Sequence, residues 1–169
     1  MHITLVDTNF NFTSNSLNLK AIDSTQKNII FFAKALSERG HKITLLANTT
    51  DDVEVEGINW KSYKNTKSLS TDLLISVQDI EPLEGKLFAK HKFLWIVEEY
   101  SIFSHKKILL TLLKQKCKII YQNHYLIDQL PHNFRLVPKY FLGNGVDKSF
   151  YDVTSRDLTK SNAIITTHP

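Results

Sequence analysis

Polar side chains directly follow most of the apolar runs in this sequence, and they are the residues whose types and spacing could do chemistry. They comprise Asp7, Asn48, Thr49, Gln78, Asp79, Glu98, Glu99, Gln122, Asn123 and the segment 143–147. In an open parallel sheet, ligands bind beyond the carboxyl ends of the strands, so this pattern indicates the mouth of a binding site. Strand ends are polar in any such fold, and a purely structural interpretation therefore stays open.

The motifs that would name a chemistry outright are absent from the sequence. No Gly-x-Gly-x-x-Gly follows the first apolar run, and no phosphate loop ends in Gly-Lys-Ser/Thr. The seven His show no metal-ligand spacing, and no Ser is flanked as Gly-x-Ser-x-Gly. The lone Cys117 opens an apolar run, which favours a packing role over a nucleophile. These absences argue against a dinucleotide enzyme with close backbone contacts, a nucleotide triphosphatase and a serine hydrolase.

The amino-terminal region predicts a βαβ unit. Residues 2–6 read as a buried strand, and residues 7–22 form a long polar loop. A helix follows with Asp23 or Ser24 as its N-cap, and Gly40 is placed to end it. Residues 42–47 are predicted to form the next buried strand. Two parallel strands joined through a helix require a right-handed crossover connection.

The alternation of strands and helices continues along the chain. Strands are predicted at 53–55, 58–63, 72–77, 92–97, 118–121 and 135–142, and helices at 81–90, 102–113 and 124–130. Pro138 should lie near the start of its strand or at a sheet edge. Continuous apolar strands alternating with helices predict an α/β fold, a doubly wound, Rossmann-like parallel sheet flanked by helices.

Composition sets the domain organisation. The chain has 169 residues, of which 42% are hydrophobic, and a single Cys, as expected of one globular domain in a reducing compartment. No apolar run approaches the roughly 20 residues of a membrane span, so we expect a soluble, cytoplasmic protein. We assign 1–150 to the domain and 151–169 to a linker and the first strand of a missing second domain.

The net charge of +4 is concentrated in residues 81–118, which contain eight Lys and four Glu. Such a stretch could meet phosphate-bearing substrates, an anionic membrane surface or RNA, or it could be a solvated helix face. No nucleic-acid motif is present, so we expect no nucleic-acid partner. Peripheral contact with the inner face of a membrane through residues 102–118 remains an alternative. The leucine pairs at 109–110 and 112–113 could equally pack on the sheet.

Two stretches carry a resemblance to a known family. Residues 32–46 contain Arg39-Gly40-His41 before an apolar strand, and residues 142–150 contain an Asn-Gly-Val-Asp run before Phe150. Both resemble motifs of the amino-terminal domain of GT-B glycosyltransferases of the family 4 type. In that family an arginine-glycine-histidine run precedes the second strand, and a proline-asparagine-glycine-valine-aspartate signature closes the domain. Gly143 stands here in place of the proline.

The resemblance implies a retaining glycosyltransferase that moves a sugar from a nucleotide-sugar donor to a glycan or lipid-linked acceptor. It implies that the donor binds mainly to the missing carboxy-terminal domain, so the isolated chain would be an inactive acceptor half-site. No metal and no other cofactor is expected, because the family stabilises the leaving diphosphate with basic side chains and helix amides. The expected substrate-binding residues are Thr25, Gln26, Glu98, Glu99 and Asn123, with Asn144, Gly145 and Asp147 at the hinge and cleft. No catalytic residue is assigned.

Besides Gly143, the sequence departs from the family pattern at two places in the expected site. The family's Gly-Gly pair at the start of the first long helix corresponds to Asp23-Ser24, which places side chains where a phosphate would approach the backbone. The His that many members carry after the strand matching 92–97 is replaced by Glu98 and Glu99, which could contact acceptor hydroxyls. The alternative function is therefore a non-catalytic, degenerate Rossmann-like module that binds a sugar or a protein partner.

Overall fold

A computed structural model describes residues 1–9, 24–49, 52–98 and 106–143. Its strands are β1 (His2–Val6), β2 (Lys42–Ala47), β3 (Val53–Val55), β4 (Ile58–Ser62), β5 (Leu69–Val77), β6 (Leu87–Ile96), β7 (Lys118–Tyr121) and β8 (Lys139–Phe141). Its helices are α1 (Ser24–Glu38), α2 (Glu81–Glu84), α3 (Lys106–Lys114) and α4 (His124–Asp128), and a 3₁₀ helix spans His132–Leu136.

The strands form one eight-stranded sheet in the order β3-β4-β2-β1-β5-β6-β7-β8. All neighbouring pairs are parallel except β3 with β4, which form an antiparallel pair. Leu5 of β1 is opposite Leu45 on one side and Ile75 on the other, so β1 lies within the apolar centre of the sheet. The predicted α/β class with a mostly parallel sheet is confirmed, and the arrangement is compatible with a Rossmann-like fold.

Alternation along the strands divides the buried side chains between two clusters. Ile3 and Leu5 of β1 belong to the cluster that contains Ile29, Ile30 and Ala33 of α1. Val6, next along the same strand, belongs to the cluster that contains Leu109 and Leu112 of α3. Because successive side chains of a strand point to opposite faces, α1 and α3 cover different faces of the sheet. Burying an aliphatic side chain stabilises the fold by roughly 1.5–3 kcal/mol, so both helices are held mainly by this packing.

Gly40 ends the first helix as the sequence predicts. Its φ of +80° lies in the left-handed region, which a glycine adopts without a side-chain clash. The Gly40 N–H donates to the Ser37 carbonyl at 2.8 Å, and the His41 N–H donates to the Leu36 carbonyl at 3.2 Å. Both bonds satisfy carbonyls at the helix end, and β2 begins immediately afterwards. Ser24 is the first helical residue, and Asp23 lies outside the described residues.

Two element predictions were wrong. Residues 81–90 form only the single turn of α2, because Leu87 starts β6 and pairs in parallel with Leu69 of a longer β5. Residues 135–142 are not one strand, because the buried Phe134 anchors a 3₁₀ helix that reaches Leu136. Pro138 precedes the short edge strand β8, which confirms its expected position.

Several predictions lie outside the described residues. These are most of the loop at 7–22, the start of the helix at 102–113, and the linker and strand proposed for 151–169. Among the helices that are described, none combines the length and the hydropathy that crossing a bilayer requires.

Cys117 should be unreactive in the folded protein. It is 2% exposed, and burial raises the pKa of its thiol to about 11. The reactive thiolate is therefore scarce at neutral pH, and we expect a thiol reagent to label Cys117 only after unfolding by urea. Because the unfolded thiol ionises first, this group should lower stability as the pH rises from about 9 to about 11. Rapid labelling without denaturant at pH 7 would contradict this assignment.

Candidate functional site

A cleft of about 240 Å³ opens where β1, β5 and β6 end and α1 begins. Its lining residues are Asp7, Asn9, Thr25, Val77, Gln78, Val97 and Glu98. From β1 the chain crosses to β2 on one side, whereas β5 and β6 lie on the other side. The cleft therefore lies where the strand order reverses, which is where open parallel sheets bind their ligands.

Gln78 holds the exits of β5 and β6 together. Its backbone has a φ of 58°, in the left-handed region, and its N–H donates to the Trp95 carbonyl at 2.9 Å. The side-chain Nε2 donates to the Glu98 carbonyl at 3.3 Å, and the Oε1 accepts from the Val97 N–H, also at 3.3 Å. The Gln78 side-chain amide thus takes the place of strand pairing just beyond β6. It fixes the position of the backbone that carries the Glu98 side chain.

The first turn of α1 contacts a carboxylate. Thr25 and Gln26 are both buried, and the Thr25 Oγ1 donates to the Glu98 Oε1 at 3.4 Å. A negative charge near a helix N-terminus interacts favourably with the helix dipole. Glu98 therefore places an anionic side chain beside the N-terminus of α1.

Asp7 is fixed at the end of β1. It is 1% exposed, its Oδ1 accepts from the Asn9 N–H at 2.9 Å, and its own N–H donates to the Leu46 carbonyl at 2.9 Å. The bond to Asn9 makes an Asx turn at the edge of the cleft, which Asn9 also lines. The orientation of this carboxylate is thus set by the backbone on either side of it.

A second set of hydrogen bonds joins β1 to β5 at the rim. The Thr8 Oγ1 donates to the Asp79 Oδ2 at 2.6 Å, and the Asp79 Oδ1 accepts from the Glu81 N–H at 3.0 Å. The Ser76 Oγ donates to the Asp79 carbonyl at 2.6 Å. These hydrogen bonds connect the segment that follows β1 to the segment that follows β5, and so fix the backbone at the rim of the cleft.

The cleft is acidic. Asp7 and Glu98 supply carboxylates, and no Lys, Arg or His is among the lining residues that the structure describes. Like charges repel strongly where water is partly excluded, so this lining disfavours a phosphate and favours groups that donate hydrogen bonds. Hydroxyl and ammonium groups are donors of this kind.

The structure brings together only some of the predicted site residues. Thr25 and Glu98 meet in the cleft, whereas Gln26 is buried in α1 and does not line it. Asn123 follows β7 and caps α4, because its Oδ1 accepts from the Tyr125 N–H at 2.9 Å. Glu99, Asn144, Gly145 and Asp147 lie outside the described residues.

Asp7 and Gln78 were not among the residues singled out as substrate-binding, although both directly follow apolar runs. Their position after an apolar run is the sequence feature that could have identified them. The same feature is shared by the other polar residues at strand ends, so it does not single out these two. Among the described residues, no three His, Cys, Asp or Glu side chains are grouped so that they could hold a metal ion.

Comparison with known proteins adds no family assignment. The chain matches no protein-family model, and a search of curated proteins finds no match. Support for a function comes instead from the position and lining of the cleft and from the two sequence motifs.

Proposed function

We propose that this chain is the acceptor-side, amino-terminal domain of a retaining GT-B glycosyltransferase that resembles family 4. Its partner domain would bind the nucleotide-sugar donor, and the cleft would bind a glycan or lipid-linked acceptor. The observation that carries this proposal is the position of the cleft, at the carboxyl ends of β1, β5 and β6 beside the start of α1. We further propose that the sheet is doubly wound, since α1 packs in one buried cluster, whereas α2, α3 and α4 contribute Leu83, Leu112 and Leu126 to the other.

The lining of the cleft supports an acceptor rather than a donor. An acceptor saccharide presents neutral hydroxyls, which can donate hydrogen bonds to the carboxylates of Asp7 and Glu98. A nucleotide-sugar donor presents a diphosphate, which the same carboxylates would repel. The two halves of the reaction would then be divided, with the acceptor held here and the diphosphate held elsewhere.

Glu98 is the residue that we expect to contribute most to acceptor binding. Glu98→Gln keeps the shape of the side chain but removes the charge, and hydrogen bonds to charged groups contribute roughly 1.5–3 kcal/mol. We therefore expect saccharide affinity to fall about tenfold or more. The measurement is a ¹⁵N NMR titration of the chain with neutral mono- and disaccharides, following the amides of residues 7–9, 77–78 and 97–98.

The matched control is Glu54→Gln, which removes an exposed carboxylate from β3. We expect this variant to bind like the unchanged chain. Glucose 1-phosphate should perturb the same amides less than glucose does. The proposal would be wrong if no neutral saccharide shifted these amides, or if the phosphate bound more tightly.

A non-catalytic binding module is the second candidate function. It is favoured by the contact between Thr25 and Glu98, which fills the start of α1 with side chains and a negative charge. The enzyme would catalyse sugar transfer, whereas the binding module would not. Transfer from nucleotide-sugar donors by the full reading frame would support the enzyme, whereas saccharide binding without transfer or donor binding would support the module.

A further inference from the structure

The outward face of α3 is apolar at its centre. The structure separates each leucine pair of this helix: Leu109 and Leu112 are buried against the sheet, whereas Leu110 is 65% exposed and Leu113 is 40% exposed. The face of a surface helix that points away from the core normally carries polar residues. The two exposed leucines depart from this pattern. A packing role on the sheet therefore accounts for only half of the leucines.

Lysines lie at both ends of these exposed leucines. Lys106, Leu110 and Leu113 are spaced by four and three residues, so they share one face of α3, and Lys114 follows directly. Lys106 and Lys114 are exposed. We call these four residues the α3 stripe.

The surroundings of the α3 stripe are also basic. Residues 106–116 contain four Lys and no Asp or Glu. The 3₁₀ helix packs against α3, and two of its residues, Arg135 and Leu136, are exposed. The Glu84 carboxylate does contact α3, but it accepts its hydrogen bond from Thr111, which is buried and points away from the stripe.

We propose that the α3 stripe docks this protein on the surface of an anionic lipid bilayer. Leu110 and Leu113 would enter the boundary between head groups and acyl chains, and the lysines would lie at the level of the lipid phosphates. The charge of the stripe selects this partner, since basic residues near an anionic surface each strengthen binding. The proposal does not depend on what the cleft binds, because it concerns a different surface.

The test is co-sedimentation of the chain with vesicles. The chain should bind vesicles of phosphatidylcholine mixed with phosphatidylglycerol, should bind phosphatidylcholine alone much less, and should dissociate as salt is raised. Lys106→Gln with Lys114→Gln should weaken binding about 30-fold. Leu110→Ser with Leu113→Ser should weaken it about tenfold or more.

Matched controls come from α1, which covers the other face of the sheet. Phe31 is 45% exposed there, and Lys27 of the helix and Arg39, which directly follows it, are exposed as well. Phe31→Ser, and Lys27→Gln with Arg39→Gln, should bind vesicles like the unchanged chain, and thermal unfolding should show that every variant is folded.

Three outcomes would overturn the proposal. These are failure of the unchanged chain to bind the mixed vesicles, equal binding to neutral vesicles, and equal losses in the α1 variants. Self-association that Leu110→Ser abolishes, without vesicle binding, would assign the stripe to a protein interface instead.

Discussion

Replacing Leu112 with alanine is expected to lower the free energy of unfolding by about 2–5 kcal/mol. Leu112 is fully buried in the cluster that also contains Leu94 and Ile119. Truncating it removes apolar contacts and leaves a cavity that the strands cannot fill, since the sheet constrains their positions. For a chain of this size the melting temperature should fall by roughly 4–20 °C. Urea unfolding followed by circular dichroism measures the change.

The matched control is Leu110→Ala, two residues away on the exposed side of the same helix. Both variants make the same chemical change, and alanine favours the helix as well as leucine does. Because Leu110 is 65% exposed, we expect its truncation to change stability by no more than about 0.5 kcal/mol. Equal losses in the two variants would mean that α3 is not oriented as described.

The sequence predicted the strands that form continuous apolar runs, of which β1 and β2 are buried on both faces. The bounds of β1, β2 and β7 agree with the apolar runs at 2–6, 42–47 and 118–121. Such strands need no information from distant residues, because a continuous apolar run of this length is already typical of the interior of a parallel sheet.

The error at residues 81–90 arose where long-range pairing decides the structure. The first half of β6 carries the exposed residues Phe88 and Lys90 among its strand positions, so it does not read as a buried strand. It is a strand because it pairs with the start of β5, about 18 residues earlier in the chain, as in the pair Thr71 and Ala89. Local periodicity cannot reveal such a partner.

The candidate site was predictable in its location but not in its contacts. Ligands bind at the carboxyl ends of strands in open parallel sheets, and this rule selected Asp7, Gln78 and Glu98. It also selected several residues that have other roles. Asn123, for example, caps a helix. The contact between Thr25 and Glu98 joins residues 73 positions apart, so it depends on the completed sheet.

Removing the side chain of Gln78 is expected to lower both the stability of the protein and its affinity for a saccharide. Gln78→Ala deletes the hydrogen bonds to the Val97 N–H and the Glu98 carbonyl, and it leaves two backbone groups without these partners. Val97 is partly buried and Glu98 is exposed, so each hydrogen bond contributes roughly 0.5–1.5 kcal/mol, and we expect a loss of about 1–3 kcal/mol in total. Glu98 should lose its fixed position, and saccharide affinity should fall about tenfold.

Gln78→Gly separates the backbone conformation from the hydrogen bonds. Glycine adopts the left-handed φ of 58° freely, whereas a side chain there costs roughly 1–2 kcal/mol. Gln78→Gly should therefore be about 1 kcal/mol more stable than Gln78→Ala, while both lose the same binding, because both lack the amide. Urea unfolding and the NMR titration measure the two effects. If Gln78→Gly kept full saccharide affinity, the amide of Gln78 would not position Glu98, and the acceptor would be held by other groups of the cleft.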